Sequence, residues 1–147
     1  MTTLKPERVF HFFHEICQVP RPSKKEEKIR AFLIKFAQDR NLEYKTDEVG
    51  NVVIMKGATP GFENRKKVIL QSHMDMVCEK NNDTVHDFEK DPIMTYVDGE
   101  WLRAKGTNLG ADNGIGIATE LAILDADDIE HGDIECVFTV DEETGLT

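Results

Sequence analysis

The segment Val68–Asp75 joins a short apolar run to a histidine and an aspartate. Its first three residues are apolar and two are β-branched, which is typical of a strand buried in a sheet. His73 and Asp75 follow at the end of the strand, and residues two apart on a strand point to the same side. Catalytic groups collect at the carboxyl edge of open α/β sheets. The segment therefore predicts a functional site at a sheet edge. The alternative is that His73 and Asp75 are solvent-exposed residues of an ordinary loop.

The composition excludes several classes of protein. The chain has 147 residues, 39% of them hydrophobic, which suits one domain of ordinary size. No apolar stretch reaches the roughly 18 residues that a membrane span needs, and no apolar leader is visible. A net charge of −10 argues against nucleic acid as a partner. Three widely spaced cysteines do not suggest a disulfide framework, so we expect a reducing, cytoplasmic setting.

Hydrophobic periodicity and turn residues predict an α/β fold, with a mixed, mostly parallel sheet flanked by helices. Ser23 and Glu26 match a capping box at the start of the second helix. We also expect the last predicted strand to form an exposed sheet edge. The predicted helices are Thr3–Gln18, a segment from Ser23 to about Asn41, and Ile115–Leu124; the predicted strands are Leu42–Thr46, Val52–Met55, the one from Val68, a hairpin over Thr95–Leu102, and Ile134–Val140.

Three further carboxylates fall where they could join His73. Glu142 and Glu143 follow the last predicted strand with only Asp141 between, and a glycine-rich turn before the third helix presents Asp112. One histidine and several carboxylates form a plausible ligand set for zinc. Adjacent glutamates on extended backbone point apart, so one could bind metal while the other acts as a general base.

The glycine-rich turn, Gly106–Gly116, has other interpretations. Glycines before a helix can bind phosphate, but this turn matches neither the dinucleotide-binding pattern nor the P-loop. Asp112 could also cap the helix that follows, and this remains an alternative to a metal ligand.

Three ordered motifs in the chain resemble those of the dinuclear-zinc exopeptidases, a family that includes carnosinases, tripeptidase T and carboxypeptidase G. Segments 73–81, 86–93 and 106–116 resemble the aminoacyl-histidine dipeptidase subgroup of that family. The resemblance runs from about Leu4 to Thr147. The three motifs are Ser72–Asp75, Gly110–Gly116 and Asp141–Gly145.

The resemblance implies a role for each site residue. His73 would bind one zinc ion, and Asp75 would orient its imidazole. Asp112 would bridge two zinc ions, and the peptide bond that follows it would be cis. Glu143 would bind the second ion, and Glu142 would be the general base. Cobalt or manganese could replace zinc.

The resemblance also implies the function of the complete enzyme. It would hydrolyse a small peptide, a dipeptide with C-terminal histidine, by metal-activated water. It would be a cytoplasmic homodimer with neither nucleic acid nor membrane as a partner. Residues 1–147 would be the N-terminal part of the catalytic domain, without the later aspartate or glutamate and histidine ligands and without the lid or dimerisation domain. Alternatives are a tripeptidase, an aminoacylase or a non-catalytic fragment.

Overall fold

A four-stranded sheet forms the centre of the computed structural model, which describes residues 4–145. The strands are β1 (Glu43–Thr46), β2 (Val52–Lys56), β3 (Val68–His73), β4 (Thr95–Asp98), β5 (Trp101–Ala104) and β6 (Ile134–Thr139). The order across the sheet is β1-β2-β6-β3, and a separate hairpin pairs β4 with β5, as predicted.

The sheet is mixed, as the sequence predicted, but it is not mostly parallel. β1 with β2 and β2 with β6 are antiparallel, while β3 with β6 is the parallel pairing among the described strands. A short turn between β1 and β2 makes them a hairpin, whereas the long connection from β3 to β6 leaves room for the crossover that a parallel pair needs.

The position of β6 corrects a second expectation. β6 lies between β2 and β3, so it is a central strand, and its Ile134, Cys136 and Phe138 side chains are buried. Among the described strands, β3 is an edge, and Val68 and Ile69 are 48% and 61% exposed. The apolar start of β3 is therefore not buried as predicted. Only its end is enclosed, where Ser72 and His73 are buried.

Three helices pack around this sheet: α1 (Glu7–Cys17), α2 (Glu27–Asp39) and α3 (Ala111–Asp125). α1 packs mainly on α3, α3 packs on β3, and α2 packs on β1 and β2. The predicted start of the first helix, Thr3, lies outside the described residues. No helix in residues 4–145 is both long and apolar enough to cross a membrane. One core joins the helices to the sheet, and its fully enclosed side chains include Phe13, Ile16, Leu33, Ile54, Leu121 and Phe138.

Candidate metal centre

The imidazole of His73 is at the centre of the candidate site. The side chain is 7% exposed and stands at the carboxyl end of β3, where the sequence predicted a site. Its Nδ1 lies 2.9 Å from the backbone oxygen of Asp75. When Nδ1 carries the proton and donates it to that oxygen, Nε2 has a free lone pair. Fixing the tautomer in this way prepares Nε2 to bind a metal ion.

Asp75 is fully buried and organises two parts of the site. Its Oδ1 lies 3.3 Å from Nδ1 of His73 and accepts a hydrogen bond from the backbone amide of Glu142 at 3.1 Å. Its Oδ2 accepts one from the amide of Glu143, also at 3.1 Å. A single carboxylate thus connects the end of β3 to the turn that follows β6.

Asp112 faces His73 from the start of α3, with its Oδ1 3.0 Å from Nε2. Its backbone angles are not helical, and the peptide bond to Asn113 is cis, as the resemblance implied. The cap alternative is wrong, because Asp112 Oδ1 contacts the His73 imidazole and no backbone amide among the described residues donates to the Asp112 carboxylate. The departure from helical geometry at Asp112 leaves its carboxylate 87% exposed beside the imidazole.

Glu142 and Glu143 do not point apart as expected. They lie in a short 3-10 turn, Glu142–Thr144, and not on extended backbone. Both carboxylates therefore approach Nε2 of His73, to 3.8 Å for Glu142 and 3.6 Å for Glu143. The two differ in exposure, since the Glu142 side chain is 47% exposed and the Glu143 side chain only 20%.

This crowding of acidic groups changes their protonation. Burial raises the pKa of Glu143, and its hydrogen bond with Glu142 and the charge of that neighbour raise it further. Burial lowers the pKa of His73, but its hydrogen bond with Asp112, its contact with Asp75 and the charge of Glu142 outweigh that effect, so its pKa is raised. An excess of negative charge around one imidazole contributes to both shifts.

A divalent cation fits this arrangement. One ligand atom from each of His73, Asp112 and Glu143 can be chosen so that all three lie within 4.8 Å of one another. Imidazole nitrogen and carboxylate oxygen are both zinc ligands, and a cation among them would offset the repulsion between the carboxylates. These are the three residues that the sequence predicted as metal ligands. Their individual roles stay a prediction.

Sequence reasoning missed a set of residues that supports the site from the loop between α1 and α2. Ser23 and Glu26 do not form the predicted capping box, and no side chain caps α2. The Ser23 hydroxyl instead donates to Oδ2 of Asp75 at 2.6 Å, and Glu26 accepts from the backbone amide of Asp141 at 2.7 Å. A serine three residues before a glutamate gives the same local pattern in both cases, so only the tertiary structure distinguishes them.

The fold and this cluster define a candidate metal centre at one edge of an α/β sheet. Comparison with known proteins shows which class of protein the chain resembles. No family model matches the chain. The chain is 49% identical over 146 residues to the cytosol non-specific dipeptidase of Escherichia coli, covering 99% of this chain and 30% of that protein. The structure matches aminoacylhistidine dipeptidase from Vibrio alginolyticus with a TM-score of 0.97 and 52% identity, over 99% of this chain and 30% of that one.

A tripeptidase from Staphylococcus aureus is a more distant match. It has a TM-score of 0.77 and 27% identity, over 97% of this chain and 38% of that one. The chain thus spans about a third of the length of these peptidases, and its alignment with the dipeptidases covers 30% of each. The resemblance to aminoacyl-histidine dipeptidases is confirmed, and so is the mixed α/β fold. Both findings concern the part of such a protein that this chain spans.

Proposed function

We propose that the complete protein is a zinc-dependent dipeptidase that cleaves dipeptides with C-terminal histidine. The observation that carries this proposal is the convergence of His73, Asp112 and Glu143, whose ligand atoms lie within 4.8 Å of one another. The dipeptidase names of the two similar proteins support the reaction class. We further propose that the protein acts in the cytoplasm on small peptides, as a homodimer, with neither nucleic acid nor a membrane as a partner.

His73, Asp112 and Glu143 would hold zinc in this site, and Asp112 would be shared between two ions. Bound zinc would supply Lewis-acid chemistry, by polarising the scissile carbonyl and by lowering the pKa of water. Asp75 would keep the His73 imidazole in its tautomer, because it contacts Nδ1 through its backbone oxygen and its carboxylate. Cobalt or manganese could take the place of zinc.

Glu142 would act as the general base. Its carboxylate is more exposed than that of Glu143, 47% against 20%, and it lies within 3.8 Å of Nε2 of His73. It can therefore reach both solvent and the proposed ligands. Glu142 would accept a proton from the attacking water and then donate it to the leaving amine as the peptide bond breaks.

Turnover of a dipeptide with and without a chelator tests the proposal. The complete protein should hydrolyse β-Ala-His, lose this activity with a chelator and regain it with added zinc. Glu142→Gln serves as the inactive control, because it removes the base but nearly preserves the shape of the side chain. Hydrolysis that persists after verified metal removal would refute zinc dependence. Failure to cleave any dipeptide would refute the reaction class.

Tripeptide hydrolysis is a second candidate, which the similarity to the Staphylococcus aureus tripeptidase favours. An aminoacylase is a further alternative within the same family. Comparing kcat/KM for Ala-His, Ala-Ala-His and N-acetyl-histidine separates the three activities. The dipeptidase proposal expects the first substrate to be preferred over the other two.

A further inference from the structure

Arg21 connects two segments of the candidate site, although it lies outside all three sequence motifs. We infer that Arg21 is a positioning residue that fixes the separation between the proposed ligands His73 and Asp112. This inference rests on the proposed function, because it assigns a purpose to the spacing of those ligands. Arg21 itself would touch neither metal nor substrate.

The guanidinium of Arg21 bonds to the backbone of both ligand-bearing segments. The residue is 2% exposed. Its Nη1 donates to the carbonyl of Met74 at 3.0 Å, and its Nη2 donates to the carbonyl of Gly110 at 2.6 Å. Met74 stands between His73 and Asp75, and Gly110 stands two residues before Asp112. One rigid, planar group therefore sets the distance between the two segments.

The backbone of Arg21 bonds to the same region. Its carbonyl accepts a hydrogen bond from the amide of Met76 at 3.0 Å, and Pro22 forms a parallel bridge with Met76. The side chain and the main chain thus hold the loop after β3 from both sides of Asp75. The contact extends from Met74 to Met76, which includes the residue that orients His73.

Stability alone does not explain the buried charge of Arg21. Burial lowers the pKa of Arg21 to about 10, and the negative charges of Cys17, once it is ionised, and of Asp75 oppose the shift, so the group is still charged at neutral pH. Burying a charge costs free energy that its partners recover only with good geometry, so a buried charge is weak evidence of a purely stabilising role. A geometric role explains its presence better than a stabilising one.

Two glycines of the turn make room for this guanidinium. A Cβ atom at Gly110 would lie 2.8 Å from Nη2 of Arg21, and one at Gly114 would lie 2.7 Å from the same atom. Gly114 has no positive φ that would require glycine, so its small size is what the structure uses. These glycines therefore allow the close approach of the side chain to the carbonyl of Gly110.

Arg21→Met tests the inference, because it removes the donors but fills much of the space. The matched control is Lys56→Met, which removes another cation that bonds to two carbonyls, those of Ile123 and Ala126 at the far end of α3. Two quantities are measured: amide hydrogen exchange of the metal-free protein over residues 74–76 and 110–114, and zinc affinity by competition with a chromophoric chelator.

We expect Arg21→Met to exchange faster in both segments and to bind zinc roughly 10- to 100-fold more weakly, the usual loss when a group supporting a metal ligand is removed. Lys56→Met should leave both quantities unchanged. Arg21→Lys, which keeps a cation that can bond to carbonyls, should recover part of the zinc affinity. Equal zinc affinity in Arg21→Met and Lys56→Met would overturn the inference.

Gly114→Ala replaces Arg21→Met if the latter does not fold. It keeps the charge but displaces the guanidinium, so it should show the same two changes, while Gly57→Ala, which meets open space, should show neither. Unchanged zinc affinity in Gly114→Ala would overturn the inference. If the unaltered protein binds no zinc, the proposed function fails. Amide exchange is measured without metal, so unchanged exchange over residues 74–76 and 110–114 in the variant would refute the positioning role of Arg21 independently of zinc binding.

Discussion

At the scale of single residues, Asp75 has the most connected side chain of the site. Its carboxylate contacts Nδ1 of His73 and accepts from the amides of Glu142 and Glu143 and from the hydroxyl of Ser23. Both oxygens are thereby used, and the residue has no exposed surface. Asp75 is therefore placed to organise other groups, while the chemistry proposed for the site falls to its neighbours.

The two glutamates provide a prediction at this scale. Glu142→Gln removes a proton acceptor but nearly preserves the shape of the side chain, so zinc should stay bound while turnover of the complete protein falls by roughly 10²- to 10⁴-fold. Glu143→Gln should instead lose zinc, because a neutral amide is a poorer ligand than a carboxylate. Metal content by mass spectrometry, measured beside turnover, checks both results.

Added zinc separates the two roles further. It should partly restore turnover to Glu143→Gln and should not restore it to Glu142→Gln. The reverse pattern, with zinc lost from Glu142→Gln and kept by Glu143→Gln, would exchange the two assignments.

Sequence reasoning at the residue scale succeeded where motifs carry the information. His73, Asp112 and Glu143 were selected by motif and strand ends, and the structure brings them together. Arg21 and Ser23 gave no such signal, because their partners are separated from them by 52 to 89 residues. Local patterns assigned Ser23 to a cap, and only tertiary packing directs it to Asp75.

At the scale of elements, helix α3 carries a buried acid against the sheet. Glu120 is 4% exposed and faces Ser72 on β3 and Cys136 on β6. Its Oε2 has no hydrogen-bond partner among the described residues. Burial raises the pKa of Glu120 from 4.5 to about 7, and the neighbouring polar side chains of Ser72 and Cys136 lower it only in part. The helix therefore packs best when this carboxyl is protonated.

This pKa gives a prediction for stability against pH. The unfolded chain releases the Glu120 proton near pH 4.5, while the folded chain keeps it until about pH 7. The folded state thus binds more protons between these values, and stability should fall as pH rises through that window, by about 2–3 kcal/mol from this group. Urea unfolding of the unaltered protein and of Glu120→Gln, each at pH 5 and pH 7.5, measures this change in the free energy of unfolding.

The difference between the two proteins isolates the Glu120 contribution from that of other titrating groups. Glu120→Gln carries no charge at either pH, so its stability should change less between pH 5 and pH 7.5. An equal change in both proteins would show that the folded and unfolded states release this proton at similar pH.

Most elements were predictable because their signals are local. The apolar stripes of α1 and α2, the Asp98-Gly99 turn of the β4–β5 hairpin and the alternation in β6 all appear in the sequence. The sheet order was not predictable, because hydrophobic alternation does not specify which strands become neighbours. The burial of β3 was misjudged for the same reason, since an edge strand and a central strand can share one apolar pattern.

At the scale of the whole molecule, the chain spans 30% of the length of the dipeptidases that it matches. The resemblance implies one further carboxylate ligand and one further histidine ligand, and neither has a counterpart in the three motifs of residues 1–147. We therefore expect the 147-residue chain on its own to hydrolyse β-Ala-His very weakly or not at all, because metal sites bind poorly when ligands are few.

Hydrolysis by the purified chain, measured with zinc and with a chelator, checks this expectation. The complete protein, assayed at the same molar concentration, is the control. Robust turnover by the isolated chain that a chelator abolishes would show that His73, Asp112 and Glu143 suffice as ligands.

The central position of β6 affects the order in which the sheet can form during synthesis. β6 is the last described strand along the chain, yet it lies between β2 and β3 and pairs with both. During synthesis, β3 is made long before its partner strand β6, since Ser72 and Thr139, which are in contact across the pair, are 67 residues apart in the chain. Such long-range pairing forms slowly and leaves early strands open to mispairing. Glu142 and Glu143 lie in the turn just after β6, so their carboxylates can reach His73 only after β6 has paired with β3.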